Sequence, residues 1–315
     1  MNGIARRMAC AFGILVLVVL ISEAVLRFAV GLGNPILIQP DPACGYILKP
    51  DQDVFRFFVH TRTNHYGMRS DEVPPVRNAG TLRILFVGDS ITYGTTRVDQ
   101  REIFAEVLHR DLPAIVNRPV EVLNASAAAW APANELDYLR SRGIFSADLV
   151  LLVLNSGDLT QRRATAAEVS DDLPLKRPAT ALSEFYTRYI RPRMARLSRR
   201  TEAGDRIAAN ADLVARQNLA DLGSIDALVT RQGARLIVTY IPFRRDIPED
   251  SSGPGPVFSA WAAAHHVSMF DLTAAEVPYS AKDITLDNGV HLNARGHSIV
   301  AHAIEQAWPQ VVGSR

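Results

Sequence analysis

Five short apolar runs, residues 84–87, 120–124, 149–154, 235–241 and 267–272, leave this chain few ways to fold. Between and after them lie stretches of helical periodicity, at 103–111, 133–142, 211–232, 257–266 and 294–307. Runs this short, dense in Val, Ile and Leu, suit strands buried on both faces. Strands of that kind joined by helices build a parallel sheet covered on each side. The expected fold is α/β, a flavodoxin-like three-layer parallel sheet with the first strand near its centre. No internal repeat is visible.

The first run, Ile84-Leu85-Phe86-Val87, leads into Gly88-Asp89-Ser90 and then Ile91-Thr92-Tyr93-Gly94. Ligands of open α/β sheets sit beyond the C-terminal ends of the strands, which is where Ser90 falls. A serine there is a candidate nucleophile. Because a free hydroxyl attacks weakly at neutral pH, it needs a histidine to take its proton and donors to hold the oxyanion. The histidine is found near the other end, in Asp287-Asn288-Gly289-Val290-His291-Leu292-Asn293-Ala294-Arg295-Gly296-His297, just before the last helical run.

Together these two blocks resemble the first and last motifs of the SGNH (GDSL-type) serine hydrolases, and the resemblance spans the core from 83 to 307. It implies the SGNH hydrolase fold, Ser90 as nucleophile and His291 as general base and then acid. In that family the motif after the second strand is Asn-Ala-x-x-x-Gly, whose glycine N–H donates to the oxyanion. Here Asn124-Ala125-Ser126-Ala127-Ala128-Ala129 puts Ala129 in its place, and that N–H serves only if the backbone angle suits a residue with a Cβ. The third motif, Gly-x-Asn-Asp, reads Asn155-Ser156-Gly157-Asp158. Gly157 stands where the donor asparagine is expected, so Asn155 is the candidate substitute, and Asp158 is expected to brace the loop. The family's acid, three residues before the histidine, falls on Asn288. Asp287 beside it is the expected acid and Asn288 the alternative. The resemblance thus implies Ser90, His291 and Asp287 as the catalytic set, and Ser90, Ala129 and Asn155 as oxyanion donors. Asp89, Asp158 and Asn288 would support them, with no metal and no cofactor. His297 is expected to pack or cap.

Arg6 and Arg7 precede an apolar run from Met8 to Ile21, which continues past Ser22-Glu23 as Ala24-Val25-Leu26 and past Arg27 as Phe28-Ala29-Val30. The positive flank places the N-terminus inside, and no small-x-small cleavage site follows the run. Residues 1–33 are therefore expected to form an uncleaved N-terminal transmembrane helix, with a cleaved signal peptide as the alternative. Glu23 and Arg27, four apart, can pair near the outer interface. This predicts a single-pass protein of the inner (cytoplasmic) membrane with a periplasmic catalytic domain. Cys10 and Cys44 form neither a zinc spacing nor a disulfide framework.

Residues 34–80, punctuated by Pro35, Pro40, Pro42 and Pro50, are expected to be a stalk or arm packing on the core. Short strands are expected at 46–48 and 54–59 and a turn at 63–69. His60 and His65 have no acidic or cysteine partner at ligand spacing. The hydrolase-like domain, 81–315, carries an arginine-rich insertion at 160–206 that includes Arg188, Arg191, Arg193, Arg196, Arg199 and Arg200. That insertion reads either as a solvated excursion or as a cap over the site or a foot on anionic head groups. A formal net charge of +1 gives no sign of nucleic-acid binding, and no glycine-rich phosphate loop follows any strand.

The expected function is a membrane-anchored serine esterase or acyltransferase. Resemblance to membrane-tethered family members implies O-acetyl groups of surface carbohydrate as the substrate, while lysophospholipid or thioester cleavage stays open within the same chemistry. The alternative is a hydrolase-fold protein that is weak or inactive as a catalyst and binds carbohydrate or assists polysaccharide assembly. The changes at Ala129, Gly157 and Asn288 would fit that alternative.

Overall fold

The structure, a computed structural model, describes residues 3–167, 174–192, 210–247, 254–286 and 289–313. Its centre is a sheet of five parallel strands: β5 (Leu82–Gly88), β6 (Val120–Ser126), β7 (Leu149–Leu154), β8 (Arg235–Tyr240) and β9 (Ser268–Asp271). They lie side by side in the order β6-β5-β7-β8-β9, so the first strand of the sheet is internal. Ile84 pairs with Val122 on one side and Leu149 on the other. Every residue of β5 is buried. Its side chains alternate between two cores, Ile84 and Phe86 in one and Leu85 and Val87 in the other, as the two-residue period of a strand requires.

Helices α3 (Phe104–Val116) and α10 (Ala294–Val311), the latter preceded by the single turns α8 (Thr273–Glu276) and α9 (Ala281–Ile284), cover one face of the sheet. The other face is covered by α4 (Pro132–Arg142), α6 (Ala211–Arg231) and α7 (Gly255–Ala264). Leu108, Val300 and Ile304 belong to the first core, and Leu139, Ile225 and Phe258 to the second. This is the three-layer α/β architecture expected, with the strand order of the flavodoxin-like class.

The chain begins with α1 (Gly3–Ala24), which runs on as one wide turn over Val25–Ala29. Its most apolar 18-residue stretch has a mean hydropathy of 2.6, and none of that stretch is buried. At about 1.5 Å per residue such a helix is long enough to cross a hydrocarbon core of roughly 30 Å.

Two small antiparallel hairpins follow. The first pairs β1 (Ile38–Asp41) with β2 (Gly45–Leu48), and its Tyr46 carbonyl accepts the Trp130 indole N–H at 3.1 Å. The second corrects the sequence reading, because 54–59 is not one strand. The chain reverses at Phe57 and Phe58, both at positive φ (52° and 67°), between β3 (Gln52–Arg56) and β4 (Val59–Thr63). The two-residue turn matches the twist of a hairpin. What selects it is tertiary: the Phe57 N–H donates to Val30 O at 2.8 Å, and Arg56 is drawn into a buried ion pair with Glu184. At 64–67 the chain turns back to the core. There the Asn64 side chain accepts the N–H groups of Tyr66 and Met68, each at 3.0 Å, and Gly67 takes φ +74°.

The arginine-rich insertion contributes α5 (Ala181–Phe185), continued by a wide turn over Tyr186–Ile190. Thr180 caps its start, and Glu23 of the apolar helix accepts the N–H groups of Ala181 and Leu182 at 2.9 Å each. Glu184 accepts Gly33 N–H at 2.6 Å. Arg193, Arg196, Arg199 and Arg200 lie outside the described residues.

Candidate active site

Ser90, the candidate nucleophile, is positioned by steric necessity at Gly88. A Cβ there would stand 2.1 Å from Thr92 Oγ1, so only glycine lets β5 turn at once into the single-turn helix α2 (Ser90–Tyr93). Asp89 caps that turn, its Oδ1 accepting Ile91 N–H at 2.8 Å. Gly94, at φ +78°, closes it with an N–H to the Ser90 carbonyl at 3.0 Å. Ser90 thus sits at the C-terminal end of an internal strand and is partly exposed.

His291 approaches from the other end of the chain, its Nε2 3.1 Å from Ser90 Oγ. Its loop is pinned on both sides. Leu286 N–H donates to the His291 carbonyl at 2.8 Å, and Asn293 caps α10 by accepting Gly296 N–H at 3.0 Å. The Asn293 amide also donates to Asp283 O at 3.0 Å. Asp287 and Asn288, the two candidates for the acid, lie outside the described residues.

Ser90 and His291 line a pocket of about 300 Å³ with Phe57, Arg97, Ala128 and Arg188 among its walls. Next to Ala128, Ala129 has φ +63°, the left-handed conformation that glycine adopts most easily. The backbone there has kept the shape of a glycine turn although the residue carries a Cβ. The Tyr46 hydroxyl donates to the Ala128 carbonyl and so fixes the turn to the first hairpin.

Asn155 is fully buried at the end of β7. Its Oδ1 accepts Gly157 N–H at 2.7 Å, and its own N–H donates to Asp158 Oδ2 at 2.7 Å. Its amide faces the Asp89 carboxylate and favours the charged form, yet Nδ2 makes no hydrogen bond of normal geometry among the described residues. Asn218 holds the same loop from α6, donating to the carbonyls of Asp158 (2.7 Å) and Gln161 (2.8 Å).

Behind the serine stand three buried carboxyls, Asp89, Glu135 and Asp158. Burial raises the pKa of all three, and the charge of Asp89 pushes Glu135 and Asp158 up further, well above the ordinary carboxylate range. Asp89 is raised less, because Ile91 N–H, His291, the Asn155 amide and Ser90 N–H all favour its ionised form. Keeping this set short of full ionisation limits the negative charge behind Ser90.

His297 is a packing residue. It is fully buried, its Nδ1 accepts Phe104 N–H at 3.3 Å at the start of α3, and burial aided by the Arg69 charge lowers its pKa to about 3. Sequence reasoning did not single out Arg69 itself, which is wholly buried. Its guanidinium donates to the carbonyls of Tyr93 (2.7 Å), Thr95 (2.5 Å) and Val98 (2.6 Å), building the loop that carries Arg97. Its acceptors, these three main-chain oxygens and the Gln100 Oε1 that takes its Nε at 3.1 Å, lie 24 to 31 residues away, for which no sequence pattern exists. Glu135, Phe57 and Arg97 were missed for the same reason, since their place follows from how loops converge.

No protein-family model matches the sequence, and no curated protein matches it. Among solved structures the chain is similar to a two-domain esterase (CEX) active on acetylated mannans, co-crystallised with mannopentaose. The identity is 13%, over 75% of this chain and 51% of that one, with a TM-score of 0.48. It is also similar to Axe2, an acetylxylan esterase from Geobacillus stearothermophilus (16% identity, 74% and 95% covered, TM-score 0.45). A third likeness is to a member of the lipolytic protein G-D-S-L family from Veillonella parvula DSM 2008 (13% identity, 73% and 99% covered, TM-score 0.44). The chain spans about half the length of the two-domain esterase. The α/β assignment rests on the parallel strand order itself.

Proposed function

We propose that this chain is a serine esterase or acyltransferase held at a membrane by its N-terminal helix. The observation that carries the reading is the 3.1 Å approach of His291 Nε2 to Ser90 Oγ inside a pocket. Ser90 attacks the ester carbonyl while His291 takes the hydroxyl proton. The tetrahedral oxyanion is held by the N–H of Ser90, the N–H of Ala129 and the Asn155 amide, whose Nδ2 makes no hydrogen bond of normal geometry among the described residues. His291 then protonates the leaving alcohol, and water or an acceptor hydroxyl resolves the acyl-enzyme. Asp287 orients the imidazole and stabilises its charge, with Asn288 as the alternative. Asp158 braces the loop of Asn155. The acyl group is O-acetyl and its carrier a surface carbohydrate, as the motif resemblance implies.

The helix stays on the mature protein. Glu23, within the apolar segment, caps α5, and Gly33 just beyond it donates to buried Glu184, so the foot of the helix is built into the fold. With Arg6 and Arg7 inside, the catalytic domain lies on the periplasmic side of the inner membrane. A mature N-terminus downstream of Ser22, found by sequencing, would contradict this.

Fluorophosphonate labelling of the full-length protein tests the chemistry. Wild type should be labelled and should hydrolyse p-nitrophenyl acetate. Ser90→Ala should lose both, His291→Ala should lose turnover, and the double variant should be little worse than either single one, because the pair acts as a unit. Unchanged turnover in folded Ser90→Ala would leave a hydrolase fold used for binding alone.

A further inference from the structure

The pocket stands at the foot of the apolar helix. One residue beyond that helix, the Val30 carbonyl accepts Phe57 N–H at 2.8 Å, and the Phe57 side chain is a wall of the pocket. On a second side, Glu23 holds the N–H groups of Ala181 and Leu182, which sets the start of α5 level with residue 23. Arg188, on the continuation of that element, lines the same pocket. Two walls of the site are therefore tied to the last two turns of the helix.

Around this foot, large rings face outward: Phe28 is 78% exposed, Phe58 75%, Tyr186 51% and Phe185 38%. In water such a collar is unfavourable. At a bilayer boundary it is favoured, because aromatic side chains partition to the headgroup level. The charge beside it is positive. Arg97 lies over the Phe57 ring at 5.7 Å and has no ion pair among the described residues, and Arg188 pairs with Glu184 at 3.2 Å.

We propose that the collar of Phe28, Phe58, Phe185 and Tyr186 sits in the bilayer boundary. The pocket then takes its acyl ester from an anionic, membrane-held amphiphile whose head group meets Arg97. The reaction rests on the Ser90–His291 reading; the class of substrate departs from the surface carbohydrate that the motif resemblance implies. The ester C–O bond breaks as the acyl–Oγ bond forms, and the serine proton passes through His291 to the departing alcohol. Water then adds across the acyl–Oγ bond, releasing the carboxylic acid and restoring the hydroxyl.

The test uses full-length protein in phosphatidylcholine vesicles, with and without phosphatidylglycerol. Bimane on Phe58→Cys or Tyr186→Cys, in a Cys10→Ser background, should be quenched by lipids carrying a nitroxide near the head group. Bimane on Arg118→Cys should not, because exposed Arg118 precedes β6 at the opposite end of the parallel sheet from Ser90, roughly 20 Å away. In the activity arm, Phe58→Ser combined with Tyr186→Ser should leave p-nitrophenyl acetate turnover unchanged and raise KM for vesicle-borne lysophosphatidylglycerol. Arg97→Gln should raise that KM roughly tenfold, the effect of one lost charge-assisted hydrogen bond, and affect lysophosphatidylcholine less. Unquenched probes at 58 and 186, or an unchanged KM in the double collar variant, would overturn the proposal with the esterase reading intact. Absence of p-nitrophenyl acetate turnover in wild type would instead remove the esterase reading, and the quenching arm would still decide whether the collar enters the bilayer.

Discussion

Replacing Glu184 by alanine should unfasten the base of the molecule. Glu184 and Arg56 form an ion pair with side chains only 5% and 2% exposed, and Glu184 also accepts Gly33 N–H at 2.6 Å and Arg188 at 3.2 Å. Glu184→Ala leaves a guanidinium buried with the Gly31 carbonyl, at 3.3 Å, as its remaining acceptor among the described residues. Breaking one side of such a pair costs about 3–5 kcal/mol. For a chain of this size that corresponds to a fall in Tm of roughly 6–10 °C. Circular dichroism melting of the full-length protein in detergent measures it.

The control is Asp71→Ala, whose partner Arg62 lies at 3.2 Å with both side chains 53% exposed. An exposed pair of this kind contributes at most about 1 kcal/mol. Adding Arg56→Met to Glu184→Ala should recover most of the loss, since replacing both members of a buried pair by apolar groups is close to neutral. The effect should depend on pH. Burial opposes ionisation of Glu184, but Arg56, the Gly33 N–H and Arg188 outweigh it and hold the carboxyl below its ordinary value of 4.5. Its contribution is therefore complete above that value and lost as pH falls through the folded-state value, so wild type and variant should converge in acid. A Tm drop no larger than that of Asp71→Ala, or a double variant no better than the single one, would refute the reasoning.

Three further outcomes follow from the site and core. Asn155→Ala should lower kcat by about 10²–10³ with little change in KM, because its bond strengthens only as charge develops on the oxyanion; a fall in stability with kcat intact would make it a loop brace alone. Gly88→Ala should cost about 1–3 kcal/mol in a denaturant titration and lower kcat, since the added methyl meets Thr92 at 2.1 Å and must displace the serine turn; normal kcat would show that the turn adapts. Glu276 is buried with both carboxylate oxygens unpartnered among the described residues, and burial, only partly offset by Arg244, raises its pKa to about 8. Between 4.5 and 8 the unfolded chain ionises it while the folded chain keeps the proton, so stability falls as pH rises. Glu276→Gln should remove that slope, and a gain in Tm that does not grow from about pH 5 to about pH 8 would contradict it.

The local pattern carried the sheet and its order of elements. Runs such as Leu149–Leu154 are apolar at every position because both faces of a central strand are buried, and that signal survives without any knowledge of neighbours. Ser90 and His291 were legible for a related reason. A strand-end serine and a histidine before a capped helix are each marked by glycines and caps within a few residues of them. Other features depend on where distant segments meet. The hairpin at Phe57 and Phe58 looked like the middle of one strand, because what bends it is an amide bond to Val30 and an ion pair to Glu184, 128 residues from Arg56. The left-handed backbone at Ala129 could be named as a requirement, but whether the chain would bear its strain depended on the Tyr46 and Trp130 contacts around it. Arg69, the three buried carboxyls and the joining of pocket to helix foot were decided in the same way. Burial and hydrogen bonding between remote residues are properties of the packed chain, and no periodicity in the sequence encodes them.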